Sequence, residues 1–352
     1  MNMISLSVCI ITKNESAKLE KCLQRLQPYG FEIVLVDTGS IDGTKEMAKQ
    51  YTSHIHNFAW CDDFAAAKNY AISKAVNDMV MVLDSDEYLE PMQTGVLYEL
   101  MQKHKEMVGR ICIHNIYSID KQQNENVEYI NRIFDRTRFQ YEGKIHEQLV
   151  AKDGSEYQTY LTPVTVLHSG YDGTKEERIQ KARRNLELLQ QTLEENPKDT
   201  YILYQLGKSY YMAEDYPKAV RYFELALGYD VNPKLEYVID MVETYGYALL
   251  KIGQAEIALS LEGVYQEFAS SADFVFLMGL IYMNNEMFEE AVTQFVKAAE
   301  YQTAKTVGVN SYLAYYNAGV IRECLGDVKQ AKEYYRKCGA YGKAVDRLGQ
   351  LD

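Results

Sequence analysis

"MVMVLDSDEYLEP", residues 79–91, runs five apolar residues straight into Asp84-Ser85-Asp86-Glu87 and breaks at Pro91. A short continuous apolar run predicts a strand buried on both faces, as in a parallel sheet. Its carboxyl end then delivers a cluster of carboxylates. Such a cluster either solvates a loop and caps the next helix or holds a cation, and the spacing alone leaves both open.

Working outward, "LSVCIIT" (6–12), "EIVLVD" (32–37) and "SHIHNF" (53–58) read as further strands. Between them lie helical stretches. "SAKLEKCLQRL" (16–26) puts Leu19, Cys22, Leu23 and Leu26 on one face, "IDGTKEMAKQY" (41–51) starts a helix with Asp42 as its N-cap, and "DFAAAKNYAISKA" (63–75) is a third. Apolar strands separated by amphipathic helices imply right-handed crossovers and a mostly parallel sheet, hence an α/β fold. Ligands of such sheets sit beyond the carboxyl ends of the strands. Thr12 to Glu15, Asp37 to Ser40 and Asp84 to Asp86 all fall there. From about residue 107 to 170 the pattern turns strand-rich, and the long helix "KEERIQKARRNLELLQQTLEENP" (175–197) follows.

Beyond Asp199 a repeat appears. Gly207, Gly246, Gly279 and Gly319 are each followed twelve positions on by Ala219, Ala258, Ala291 and Ala331, and four further on by Phe223, Glu262, Phe295 and Tyr335. The copies lie 39, 33 and 40 residues apart. Small residues at these offsets let the two helices of a hairpin approach while the aromatic fills the groove, a pattern that resembles the tetratricopeptide repeat. Glu262 is the clearest departure from it.

Composition bounds the rest. At 352 residues the chain has room for two cores. A formal net charge of −13 argues against nucleic acid, because a phosphate backbone rewards clustered Lys and Arg. No apolar run approaches the roughly 20 residues that span a bilayer. "MNMISLSVCIITKNE" reads as a strand rather than a leader. Six scattered cysteines without a C-x-x-C pair read as reduced, consistent with a cytoplasmic protein.

The ordered set "SVCIITKNE", "IVLVDTGSIDGT", "DFAAAKN", "MVLDSDE", "FDRTRFQYEGKIHEQL" and "VTVLHSGY" resembles family 2 glycosyltransferases of the GT-A fold over about residues 6–172. The later motifs look most like those of bacterial enzymes with appended tetratricopeptide-like helices, among them the sublancin-type peptide S-glycosyltransferases. The resemblance implies that Thr12, Glu15 and Asp37 line the pocket of a nucleotide-diphosphate sugar, although Thr38 stands where many relatives have a second Asp. It implies that Asp84 and Asp86 form the Asp-x-Asp, with Asp84 binding the nucleotide sugar, Asp86 the direct ligand of Mg²⁺ or Mn²⁺ and His168 another. In "DFAAAKN", Lys68 replaces the usual Arg; it keeps the charge and loses the bidentate fork, which suits a phosphate contact. Asn69 remains as in the family, near nucleotide or donor sugar. Ser40 and Asp42 read as turn and helix caps. His146 and Glu147 follow a turn at Gly143. In a strand such neighbours point to opposite sides, so one of them faces the site, and Glu147 is the candidate general base.

The expected organisation is a GT-A domain at 1–172, a linking helix at 173–198 and an α-helical repeat domain at 199–352. The expected activity is metal-dependent, inverting transfer of a hexose, from a UDP-sugar or other nucleotide sugar, to a peptide or protein side chain. The repeats then bind the acceptor, make a homodimer, or both. A lipid-linked or polysaccharide acceptor is one alternative, and a non-catalytic repeat scaffold is another.

Overall fold

The computed structural model describes residues 5–119, 122–168 and 175–351. Ser169, Gly170 and Tyr171 of "VTVLHSGY", and the expected boundary after residue 172, lie outside these. The chain forms two compact units, Met1–Arg178 and Ile179–Asp352.

In the first unit the four apolar runs form β1 (Ser7–Thr12), β2 (Glu32–Asp37), β3 (Ile55–Asn57) and β4 (Met79–Asp84), alternating with α1 (Ser16–Leu26), α2 (Thr44–Ala48) and α3 (Phe64–Ser73). There follow β5 (Glu87–Leu89), α4 (Thr94–Lys103), β6 (Val108–Ile119), β7 (Gln122–Asp135), β8 (Phe139–Glu142), β9 (Gln148–Ala151) and β10 (Thr159–His168). Eight strands make one sheet in the order β3-β2-β1-β4-β7-β6-β10-β5, and β8 pairs with β9 apart from it. The sheet is mostly parallel: β1 with β2 and β4, β2 with β3, and β6 with β10. Strand β7 runs against β4 and β6, and β5 runs against β10.

The sheet cannot be flat. Strands β7, β6 and β10 lie between β4 and β5, a flat distance of roughly 19 Å at ordinary strand spacing. Yet only Ser85 and Asp86 separate those two strands in sequence, and three backbone steps span about 11 Å at most. The sheet therefore curls until the ends of β4 and β5 meet. Both faces are covered, as the apolar strands require. Leu19, Cys22, Leu23 and Leu26 of α1 pack with Leu97 and Met101 of α4 against Val8, Ile10, Met81 and Leu83. Ala65, Ala71 and Ile72 of α3 pack with Phe139, Tyr141 and Leu149 against Cys9, Val34, Val80 and Val82 on the other side.

The second unit is helical. After α5 (Lys175–Glu195) come α6 (Thr200–Met212) and α7 (Tyr216–Leu227), then α8 (Glu236–Lys251). The partner of α8 is broken into α9 (Ala255–Ala258), a 3₁₀ stretch (Leu259–Val264) and α10 (Tyr265–Phe268). Next are α11 (Ala272–Asn284) with α12 (Phe288–Ala298), α13 (Tyr312–Cys324) with α14 (Val328–Lys337), and α15 (Gly342–Leu351). A methyl group at Gly207, Gly279 or Gly319 would meet the ring of Phe223, Phe295 or Tyr335 at 2.5, 2.8 and 2.7 Å, which is the close packing the repeat spacing implies. Gly246 instead faces Leu277 and Leu261, because Glu262 stands where the other copies carry a ring. The hairpin without its aromatic wedge is the one whose second arm breaks.

Candidate functional site

The carboxyl ends of β1 and β2 lie side by side, with Thr12 opposite Asp37 in register. Thr38 donates its amide and hydroxyl to the Thr12 carbonyl at 2.9 and 3.2 Å, so the residue that departs from the family pattern ties the two strand ends together. The Asp37 carboxylate is 1% exposed. Its Oδ1 accepts the amides of Gly39 and Ser40, both at 3.0 Å. Its Oδ2, like Thr12 Oγ1 beside it, is buried with no hydrogen-bond partner among the described residues. Ser40 accepts the Asn14 amide at 2.9 Å and Asp42 accepts the Thr44 amide at 3.1 Å, so both brace turns; the N-cap of α2 is Gly43 and not the expected Asp42. Glu15 stands at the N-terminus of α1 but makes no cap bond; its carboxylate takes the Ser85 hydroxyl.

The Asp84-to-Glu87 turn sits where the curled sheet closes. Arg132, on β7, donates through Nη2 to Asp84 Oδ2 at 2.9 Å and to Glu87 Oε1 at 3.0 Å. Glu87 Oε2 accepts the Asp84 amide at 2.9 Å. On its other side Asp84 meets the buried Lys68 ammonium at 3.1 Å, and that ammonium also meets Glu147 at 2.6 Å. Burial alone would raise the Asp84 carboxyl, but Lys68 and Arg132 override it and hold it well below its usual range. Burial likewise opposes the charge on Lys68, yet Asp84 and Glu147 keep it firmly protonated. Glu87 is raised, first by burial and then by Asp84, against the pull of Arg132.

Asp86 follows a different course. His168 pairs across β10 and β5 with Glu87, which brings its Nε2 to 3.6 Å from Asp86 Oδ1. Lys18 approaches the other Asp86 oxygen at 4.0 Å. Burial works to lower the pKa of His168, but the neighbouring Asp86 outweighs it and raises it. In the parallel register with β6, His168 faces Asn115, whose Oδ1 lies 2.7 Å from Nδ1. Among the described residues no three His, Cys, Asp or Glu side chains converge as ligands. A cation that takes one or two side chains and fills its remaining positions with water and phosphate, as Mg²⁺ does, fits Asp86 and His168; Asp84 is committed to two protein cations.

Glu147 and His146 do not lie in a strand. Left-handed backbone at Gly143 (φ +97) and His146 (φ +50) makes them a loop between β8 and β9, fastened to α3 by the Phe64 amide on the Lys144 carbonyl at 2.8 Å. Strand alternation therefore does not apply, and it is the ion pair with Lys68 that turns Glu147 toward the acids. Asn69 exchanges two hydrogen bonds with the backbone of Tyr141, at 2.8 and 2.9 Å, so its amide brackets β8. Arg132 and Asn115 were not legible as site residues. The available signal was a lone Arg inside the apolar strand "YINRIFD", since a charge buried there requires partners.

Residues 7–159 match the family model described as glycosyl transferase family 2, and residues 272–304 and 312–338 match that of a tetratricopeptide repeat. The chain is similar to a TPR repeat-containing protein of Synechococcus elongatus, 26% identical over 288 residues that cover 79% of this chain and 69% of that protein. It is also similar to the SPbeta prophage-derived glycosyltransferase SunS of Bacillus subtilis, 23% identical over 345 residues that cover 91% and 79% of the two chains. Among solved structures it is similar to YrrB, a TPR protein with an unusual peptide-binding site, at 23% identity with a TM-score of 0.41, covering 49% of this chain and 86% of that one.

Proposed function

We propose, for a chain that carries a family 2 glycosyl transferase domain ahead of tetratricopeptide repeats, that it transfers a hexose from a UDP-sugar to a peptide or protein side chain with inversion. The observation that supports this most directly is the pair of buried oxygens, Thr12 Oγ1 and Asp37 Oδ2, without a partner at adjoining strand ends. A buried acceptor left unpaired costs about 1–3 kcal/mol, which a ligand's N–H or hydroxyl would relieve. The uracil imide and the ribose hydroxyls are donors of that kind. Glu15 and Ser85 frame the same rim, one step from the acids.

Mg²⁺ or Mn²⁺ held by Asp86 and His168 would neutralise the charge that develops on the departing nucleotide diphosphate. In the transfer, the acceptor's lone pair forms a bond to the anomeric carbon as the bond from that carbon to the diphosphate oxygen breaks. The acceptor proton passes to Glu147, whose carboxylate Lys68 holds in place beside Asp84. A cysteine thiol, with a pKa near 8.5, would ask less of that base than a hydroxyl. The helical hairpins would hold the acceptor segment or pair with a second copy of the chain. The resemblance to peptide S-glycosyltransferases that carry such helices supports a peptide over a lipid-linked or polysaccharide acceptor.

The test is UDP-sugar hydrolysis and transfer with Mn²⁺. Asp86→Asn is expected to lose about 10²–10³-fold in kcat/KM, the scale of a lost electrostatic stabiliser. Unchanged turnover in that variant would overturn the assignment.

A further inference from the structure

The environment of His168 contains an ordered chain of side chains that no motif reading reached. Asn115 on β6 and Asn126 on β7 face each other across the ladder, and Asn115 is also level with His168 on β10. Asn126 Nδ2 donates to Glu128 Oε1 at 3.3 Å, Asn115 Nδ2 donates to Asn126 Oδ1 at 2.7 Å, and Asn115 Oδ1 lies 2.7 Å from His168 Nδ1. Each link dictates the next. A carboxylate accepts only, so Glu128 must face the Asn126 amide nitrogen. Asn126 then shows its oxygen to Asn115, which must answer with nitrogen and turn its own oxygen to the ring. An oxygen at Nδ1 requires the ring proton there.

We propose that Glu128, Asn126 and Asn115 form a relay that fixes the neutral imidazole of His168 with its proton on Nδ1 and its lone pair on Nε2, the nitrogen that faces Asp86. Its purpose rests on the reading of Asp86 and His168 as a cation-binding pair: a ring held this way presents a ligand atom without first having to change tautomer. Residues that orient a ligating histidine through its second nitrogen commonly change metal affinity 10–100-fold when removed. Asn115, Asn126 and Glu128 are positioning residues, since they act on His168 and on nothing that reacts.

Two measurements separate the relay from the reading beneath it. The first is the two-bond ¹H–¹⁵N spectrum of metal-free, ¹⁵N-histidine-labelled full-length chain, recorded where the imidazole is neutral, with His168 assigned by the spectrum of His168→Gln. The relay requires the pyridine-like nitrogen at Nε2; finding it at Nδ1 overturns the proposal whatever the protein binds. Glu128→Gln lets every amide in the chain reverse, and a mixture of tautomers is expected; a ring unmoved by that change overturns the ordering. The second is titration with Mn²⁺ alone, followed by the EPR signal of the free ion. Asn115→Leu is expected to weaken binding at least tenfold, while Asn115→Asp, which still accepts from Nδ1, keeps binding tight. Equal affinity in Asn115→Leu and wild type overturns the relay's purpose. A wild type that binds no Mn²⁺ overturns the cation reading and that purpose with it, and the spectrum still decides the tautomer.

Discussion

Lys68 and Arg132 set two buried cations among the carboxylates of Asp84, Glu87 and Glu147, and each cation bridges two acids. Removing Arg132 strands the Glu87 carboxylate, 4% exposed, while Asp84, 39% exposed, keeps Lys68 and water. Arg132→Met is expected to cost about 3–5 kcal/mol, read as a lower urea midpoint at unchanged m-value, because Glu87 and Asp84 lose a shared partner. Glu147 is expected to behave otherwise. Glu147→Gln keeps the shape and a hydrogen bond to Lys68, so the fold survives. Its kcat with a hydroxyl acceptor falls about 10²–10⁴-fold, with a smaller loss for a thiol. The sequence exposes Asp84 and Asp86 because a buried strand running into acids has few readings. It hides Arg132, because strand alternation says which face a residue takes and not whether a pocket of acids waits on that face.

Helices and strands were the most legible elements, and their failures are instructive. The stretch 16–26 forms α1 with the four expected residues buried, since a 3.6-residue period has one apolar solution. The loop holding His146 and Glu147 was open to misreading as strand, because its geometry rests on two left-handed residues and only one of them is glycine. Gly207, Gly246, Gly279 and Gly319 mark contact and not flexibility. Gly207→Ala drives a methyl group to 2.5 Å from the Phe223 ring and is expected to destabilise by about 1–3 kcal/mol. Gly263→Ala meets nothing within 4 Å in the broken arm and is expected to be neutral or to stabilise by up to about 1 kcal/mol. Parallel thermal melts compare the two. The second hairpin also carries a titratable group. Burial, assisted by Asp273, pushes the Glu243 carboxyl up to about 8, while the Ser271 hydroxyl donates to it at 2.6 Å. A folded value above the unfolded one means that the folded state holds the proton longer. The resulting stability is full below about pH 4.5 and is lost as pH climbs through about 8. Glu243→Gln mimics the protonated acid, so it is expected to exceed wild type by about 1 kcal/mol or more at pH 9 and to match it below about pH 4, measured by urea unfolding.

At the scale of the molecule, every residue of the candidate site lies between Thr12 and His168, within the first compact unit. A UDP-sugar with Mn²⁺ at a hundred times its Kd is expected to add about 2.7 kcal/mol to that unit's stability, visible as a thermal shift that Asp86→Asn abolishes. Among the described residues no helix is long and apolar enough to cross a membrane. The two-part organisation was legible because the period of the pattern changes from alternating strand and helix to repeated hairpins. The curl was not, since strand order is a long-range property and nothing local in β4 or β5 announces which neighbours they take. That curl has a consequence for how the site tolerates change. A hoop shut by a two-residue clasp cannot widen, so the spacing of its acids is set by chain length before it is set by chemistry. One glycine inserted between Ser85 and Asp86 would spare every charged group and still spring the frame that holds them.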